Sequence, residues 1–500
     1  MEVMLTIGTG SGCGKSLVST ALCRLLSRQG REVAPFQAEA ATSVTYMTES
    51  GSAIAYSQAI QAWAAGKDPS HRFNPVLRAR RKGSGKLSIV INGRHQPELN
   101  IDTSAGIAEY QKVAWQAIEQ SLAVLRPKCE VLVADGMDSP NDGLLLGWDF
   151  ANAKLAQALD APMLLVVDAG NNGWLGNTSG TLDLMEPEDR ARVVAIALNK
   201  YRGDQNQLAI GVEWLEERTG IPVIGAIPWL KDLMPSADSI DLFAQRKRLS
   251  DVETRVGVVH LPHMAHFSDL DSLATEPTVQ VQYIGLDEEL NYPDALILPR
   301  SRDPKADLKA LHKSGMADKL DHYAASGGTV LGLCDGFQML GKSVVYFNGL
   351  EGNSEELPGL NLLPINTIVT GELIEQERSI TSMHPQLGLP IIGKEIRCGY
   401  VHLLDSDALS PLFDDEKLGV VGPNRLIWGT YVPQLFDSGP WRRAWLNQLR
   451  QQRGLMSLPT GVPDYLDHRE IMLDRVTNWI SDYLDFSRLP VMSPTMAKVR

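Results

Sequence analysis

Short apolar runs of strand length recur along the chain, separated by longer segments with helical spacing. Val3–Ile7, Val131–Ala134, Met163–Val167, Val193–Leu198 and Val223–Ile227 are compact runs of the kind buried on both faces of a parallel sheet. Between them, Ser16–Gln29, Ile54–Ala65 and Tyr110–Leu125 carry the helical pattern. This alternation predicts an α/β, doubly wound unit with its ligands at the carboxyl ends of the strands. After about Ile227 the pattern loosens through Trp229-Leu230-Lys231-Asp232 and a charged Arg246-Lys247-Arg248 stretch. Strands resume at Val256–Leu261, and Ala295–Leu298, Val330–Leu333 and Leu426–Trp428 complete a second predicted α/β unit. Arg469–Tyr483 is amphipathic and predicts a helix near the end. The expected divisions are 1–245, 253–446 and a helical tail over 447–500.

Composition narrows this picture without redrawing it. Five hundred residues exceed what one hydrophobic core usually supports. A net charge of −13 argues against non-specific attraction to nucleic acid or an anionic membrane. No apolar run reaches spanning length, and the first residues lead into a strand instead of a signal peptide, so a cytoplasmic protein is expected. The five cysteines lack CxxC spacing and suggest neither a zinc site nor a disulfide framework. His260, His263 and His266 recur every three residues, but Pro262 interrupts them and no helix aligns them as metal ligands.

The chemistry sits at two turns. Gly8-Thr9-Gly10-Ser11-Gly12-Cys13-Gly14-Lys15-Ser16 follows a strand and opens a helix, which is the setting of a phosphate-binding P-loop. Thr9 occupies the first glycine position of the strict motif, and small residues such as Gly12 and Gly14 let backbone N–H groups cradle phosphate. Lys15 can reach phosphate oxygens and Ser16 can ligate Mg²⁺. Asp135, closing the run Val131–Ala134, is the expected second-strand carboxylate for Mg²⁺ or its water. Asp168 reads equally as structural or functional, and Asn199-Lys200 could read a nucleotide base. The second turn is Leu331-Gly332-Leu333-Cys334-Asp335-Gly336-Phe337, a strand-to-helix elbow that presents a thiol. A thiol becomes a useful nucleophile as its thiolate, usually beside an imidazole.

With both turns in view, the chain resembles the cobyric acid synthase family in its cyanobacterial form. The resemblance spans about residues 3–485. It is carried by Gly8–Ser16, Ala55–Gly66, Asn74-Pro75-Val76-Leu77, Asn199-Lys200-Tyr201-Arg202-Gly203, Trp214–Gly220, Phe267-Ser268-Asp269-Leu270-Asp271, Leu331–Gly341 and Ser438–Arg443. It implies a dethiobiotin-synthetase-like ATP domain followed by a class I, triad-type glutamine-amidotransferase domain. It also implies that ATP and Mg²⁺ activate corrinoid carboxylates, which are then amidated with ammonia from glutamine. Nucleotide and corrinoid are the implied ligands. A homo-oligomer or a protein partner is left open.

Several departures fall on the chemistry. The family's catalytic histidine is Pro433 in this chain, and proline can neither accept nor return a proton. The glycine after the nucleophile is Asp335, whose charge would oppose an oxyanion and raise the thiol pKa. The loop that supplies another oxyanion N–H reads Pro299-Arg300-Ser301-Arg302. His402 lies two residues after Tyr400 where the family's strand histidine lies three after its tyrosine. That puts it on the opposite strand face unless a bulge intervenes. In the first unit a family Lys-x-Gln-Asn-Met segment has become Gln37-Ala38-Glu39-Ala40-Ala41, and a loop arginine is missing from Asp168–Gly173. Met137 enlarges the turn after Asp135, and a family lysine becomes Ala79 among Arg78, Arg80, Arg81 and Lys82.

The expected function is therefore ATP-dependent amidation of corrinoid carboxylates with the glutaminase step impaired or lost, leaving Cys334 a remnant nucleophile. The alternatives are a non-amidating, nucleotide-binding paralogue acting as scaffold or regulator, and a glutaminase serving another acceptor.

Overall fold

The computed structural model describes all residues except 43–44, 49, 81–86, 97–100, 102, 142–148, 171, 230–251, 265–266, 349–352 and 493–500. The expected divide near 245–255 and the charged stretch at 246–248 lie largely outside the described residues. The chain forms two compact units, residues 1–244 with 470–500, and residues 245–469.

The first unit is built on a six-stranded parallel sheet. Its order is Val223–Pro228, Val193–Tyr201, Met163–Asp168, Glu2–Gly8, Val131–Asp135, Val33–Phe36. The expected strands are all present, lengthened by a residue or more at their ends. Val131–Asp135 is buried at every position, as a central parallel strand covered on both faces must be. Helices Lys15–Arg28, Tyr56–Ala64 and Ser104–Leu125 correspond to the expected ones. The last begins earlier than its apolar spacing suggests because the Thr103 side chain accepts from Gly106 N–H and caps it. Asp204 likewise caps helix Gln205–Thr219, which Gly220 ends in the left-handed conformation.

Helix Tyr465–Tyr483 starts in the second unit's segment and continues into the first. Leu473, Ile480 and Leu484 are buried in one cluster with Val18, Leu22 and Leu26 of the helix that follows the P-loop turn. Arg24 pairs with Glu470 at 2.8 Å and with Asp474 at 2.7 Å. Residues 470–492 thus complete the first unit's core.

The second unit carries a seven-stranded sheet ordered Val279–Ile284, Thr254–Val259, Ala295–Leu298, Thr329–Leu333, Ile427–Thr430, Gly419–Val421, Ser410–Pro411. The first five run parallel, and the last two are joined on by successive antiparallel pairings. A separate four-stranded sheet includes the long hairpin Ile365–Thr381 with Pro390–Leu403, which apolar spacing does not announce. Its strands are buried at only a few positions, so polar residues such as Glu375, Gln376 and Glu377 interrupt the period-2 signal. Among the described residues no helix is long and apolar enough to cross a membrane, and no cluster of three or more His, Cys, Asp or Glu side chains is placed to hold a metal ion.

Candidate functional site

The P-loop turn connects Glu2–Gly8 to helix Lys15–Arg28, with Gly12 and Gly14 at φ 74° and 104°. At Gly14 a Cβ would stand 2.0 Å from Asn199 Nδ2, so only glycine permits the approach. Thr9 N–H donates to Val166 O at 3.1 Å. Lys15 is buried, and its Nζ donates to Gly10 O at 3.0 Å and Asp138 O at 2.8 Å. Ser16 Oγ donates to Asp135 Oδ2 at 2.6 Å.

Asp135 lies one strand over, paired in register with Thr6, and is wholly buried. Gln61 Nε2 also donates to its Oδ2, at 2.9 Å, and Gln58 Nε2 holds Gln61 Oε1 at 2.7 Å. Burial pushes the Asp135 carboxyl above the ordinary range, while bonds from Ser16 and Gln61 and the charge of Lys15 oppose that shift. Asp135 Oδ1 is buried without a hydrogen-bond partner. A spare carboxylate oxygen beside the Ser16 hydroxyl fits a hydrated divalent cation. The lysine, which donates to two carbonyl oxygens and to Cys13 Sγ at 3.9 Å, has no carboxylate among these partners and fits a phosphate.

Asn199 and Lys200, at the end of a neighbouring strand, reach the same turn. Asn199 Nδ2 donates to Cys13 O at 2.8 Å, and Lys200 Nζ donates to Gly12 O at 2.6 Å. Lys200 also pairs with Asp168 at 2.9 Å, and Asp168 Oδ1 accepts from Gly170 N–H. Arg202 lies over the Trp229 ring, 3.7 Å from its centroid. Gln58, Gln61 and Trp229 are additions that sequence reasoning missed. The two glutamines sit three apart on an otherwise apolar helix, which is the signal that could have found them.

In the second unit, Cys334 occupies φ 49°, ψ −104° at the elbow between Thr329–Leu333 and helix Asp335–Met339. A non-glycine residue in that region is strained, as expected of a turn that presents a nucleophile. The thiol is 2% exposed. Burial pushes its pKa well above the ordinary value, and Asp335, Asp269 and Cys398 add to this against the opposing pull of Arg300. No imidazole is among these groups. Pro433 is buried where the resemblance places the histidine. His402 pairs with Asn366 in the hairpin and is exposed, as is Tyr400 two residues before it. The irregularity in that pairing lies between Ile368 and Leu373 and does not turn His402 inward.

The loop Pro299–Arg302, to which the resemblance assigns an oxyanion N–H, is also committed elsewhere. Ser301 N–H donates to Asp335 Oδ2 at 3.3 Å, and Ser301 Oγ donates to the buried Asp307 at 2.6 Å. Asp307 also bonds His263 Nδ1 at 2.8 Å, which ties that histidine to the loop. His266 lies outside the described residues. Arg300 stands 3.6 Å from Asp269, whose pKa burial raises to about 7 despite that arginine, with Asp437 adding.

A parallel sheet with a P-loop, joined to an α/β unit with a cysteine elbow, defines a two-unit chain of the synthetase–amidotransferase class. Residues 2–237 match the AAA domain family, and residues 255–441 match the CobB/CobQ-like glutamine amidotransferase domain. Cobyric acid synthase of Trichormus variabilis is 45% identical over 97% of this chain and 99% of its own length. That of Gloeothece citriformis is 43% identical over 99% of this chain and 100% of its own. A solved glutamine amidotransferase structure covers 40% of this chain and 99% of its own at 19% identity, with a TM-score of 0.30. The chain belongs to the cobyric acid synthase family.

Proposed function

We propose that this protein uses ATP and Mg²⁺ to amidate carboxylate side chains of a corrinoid in cobalamin biosynthesis, with ammonia that its own second unit does not generate. The observation that carries the first half is the convergence of Lys15, Ser16 and Asp135 at the carboxyl ends of adjacent strands, within a family whose relatives are named cobyric acid synthase. ATP supplies the phosphoryl group that makes a carboxylate oxygen a leaving group. Lys15 holds phosphate oxygens, Ser16 and Asp135 hold Mg²⁺ directly or through water, and Asn199 and Lys200 brace the turn.

The second half of the reading rests on Cys334. Hydrolysis of glutamine needs a thiolate, a proton carrier and free oxyanion donors. Here the thiol is buried with its pKa raised, Pro433 stands at the carrier's place, and Ser301 N–H is taken by Asp335.

The test measures ADP release and amide formation from cobyrinic a,c-diamide with either ammonia or glutamine. Ammonia is expected to support turnover and glutamine is not. Turnover with neither would favour the nucleotide-binding paralogue. Turnover with glutamine, abolished by Cys334→Ser, would overturn the loss of the glutaminase step.

A further inference from the structure

Beside the P-loop lies a buried ion pair that phosphate binding does not use. Glu39 follows the strand Val33–Phe36 at its carboxyl end, where ligands of such sheets collect. It is 0% exposed. Its Oε1 accepts from Tyr110 Oη at 2.5 Å and lies 2.5 Å from Arg78 Nε. Glu39 Oε2 is buried without a hydrogen bond. Arg78 sits on the adjoining strand, where Ala41 is its register partner, and its side chain is 11% exposed. Its Nη2 reaches Met137 Sδ at 3.8 Å, and the next residue, Asp138, offers the carbonyl that holds Lys15. The arginine therefore stands at the edge of the phosphate turn, with its carboxylate partner behind it.

The pairing is incomplete. A carboxylate taken out of water is compensated when both oxygens are bonded, and arginine does this best through two parallel N–H···O bonds. Glu39 instead crowds one oxygen with two partners and leaves the other bare. A second carboxylate approaching Arg78 would compete with Glu39 for the guanidinium and be repelled by its charge.

We propose that Arg78 is a carboxylate-receiving group on the acceptor side of this site, and that Glu39 is its internal occupant and sets acceptor specificity by competing for it. The inference rests on the amidation reading, and its test separates the two. Full-length protein, Glu39→Gln and Glu39→Gln/Arg78→Ala are titrated with cobyrinic a,c-diamide, and separately with tricarballylate, in the presence of a non-hydrolysable ATP analogue and Mg²⁺. Glutamine keeps the volume and an acceptor for Tyr110 but removes the competing charge. Glu39→Gln is expected to bind the polycarboxylate about tenfold more tightly or better, and Arg78→Ala should remove that gain. A gain for tricarballylate without one for the corrinoid keeps the role of Arg78 and counts against the corrinoid reading. No gain for either probe, in a variant that still melts cooperatively, overturns the inference. Should Glu39→Gln not fold, Tyr110→Phe, which removes a donor from the oxygen that Arg78 shares and so strengthens the competition by Glu39, is expected to weaken polycarboxylate binding about threefold, and unchanged or tighter binding is equally decisive.

Discussion

Asp135 and Cys334 show how differently two buried acids are placed. Asp135 keeps two donors on one oxygen and leaves the other free, beside a hydroxyl suited to Mg²⁺. Asp135→Asn is expected to weaken apparent Mg²⁺ affinity roughly ten- to a hundredfold in nucleotide titrations, while nucleotide binding without Mg²⁺ is retained. An unchanged Mg²⁺ dependence would remove Asp135 from the metal's surroundings. Cys334 is held the other way, with burial first and Asp335 among the groups that keep it protonated. Asp335→Gly should move the thiolate absorbance midpoint, read against Cys334→Ser, to lower pH, whereas Arg300→Ala should move it higher. The P-loop was legible in the sequence because its chemistry fixes residue type at close spacing, Asp135 because it closes an unbroken apolar run, and the missing histidine through the family resemblance. The link from Gln61 to Asp135 was not, since it spans 74 positions and depends on two elements meeting. Glu39 was visible within a departing segment and Arg78 as one of a cluster of cations, but only folding shows that each is the other's partner.

At the scale of elements, legibility follows burial. Strands covered on both faces, such as Val131–Asp135, announce themselves as unbroken apolar runs. The hairpin of Ile365–Thr381 and Pro390–Leu403 does not, because its exposed positions carry charge. The helix Tyr465–Tyr483 was legible as amphipathic, yet nothing local says which core its apolar face enters. Ile480 is 0% exposed and packs in the cluster that contains Val18 and Leu22. Ile480→Ala is expected to destabilise the first unit by about 3 kcal/mol in denaturant unfolding. Asp474→Ala should cost no more than about 1 kcal/mol, because its pairs with Arg24 and Arg28 are partly exposed. A negligible effect of Ile480→Ala would mean that the helix is a free tail in solution.

For the molecule as a whole, one buried and two half-buried acids of the second unit set a pH dependence. Burial raises the pKa of Asp269 to about 7 and that of Asp437 to about 6, and Asp271 is also held well above the ordinary range. Arg300 faces Asp269, and Ser272, Arg442 and Arg469 face Asp437, but these do not offset the loss of water. In the folded chain these groups keep protons that the unfolded chain releases above about pH 4. The unfolded state thus binds fewer protons across this window, and stability falls as pH rises. For Asp437 and Asp269 the contribution is complete below about pH 4 and is lost as pH rises through about 6 and about 7, where they ionise in place. Asp269→Asn removes one such group, so calorimetry of the full chain should show a shallower fall in unfolding temperature between about pH 5 and pH 8 than the parent shows. The same slope in both proteins would mean that Asp269 is already ionised in the fold, with Arg300 compensating it fully. In that case Arg300→Ala, not Asp269→Asn, would be the substitution that changes the slope, because it would leave the carboxylate without its cation.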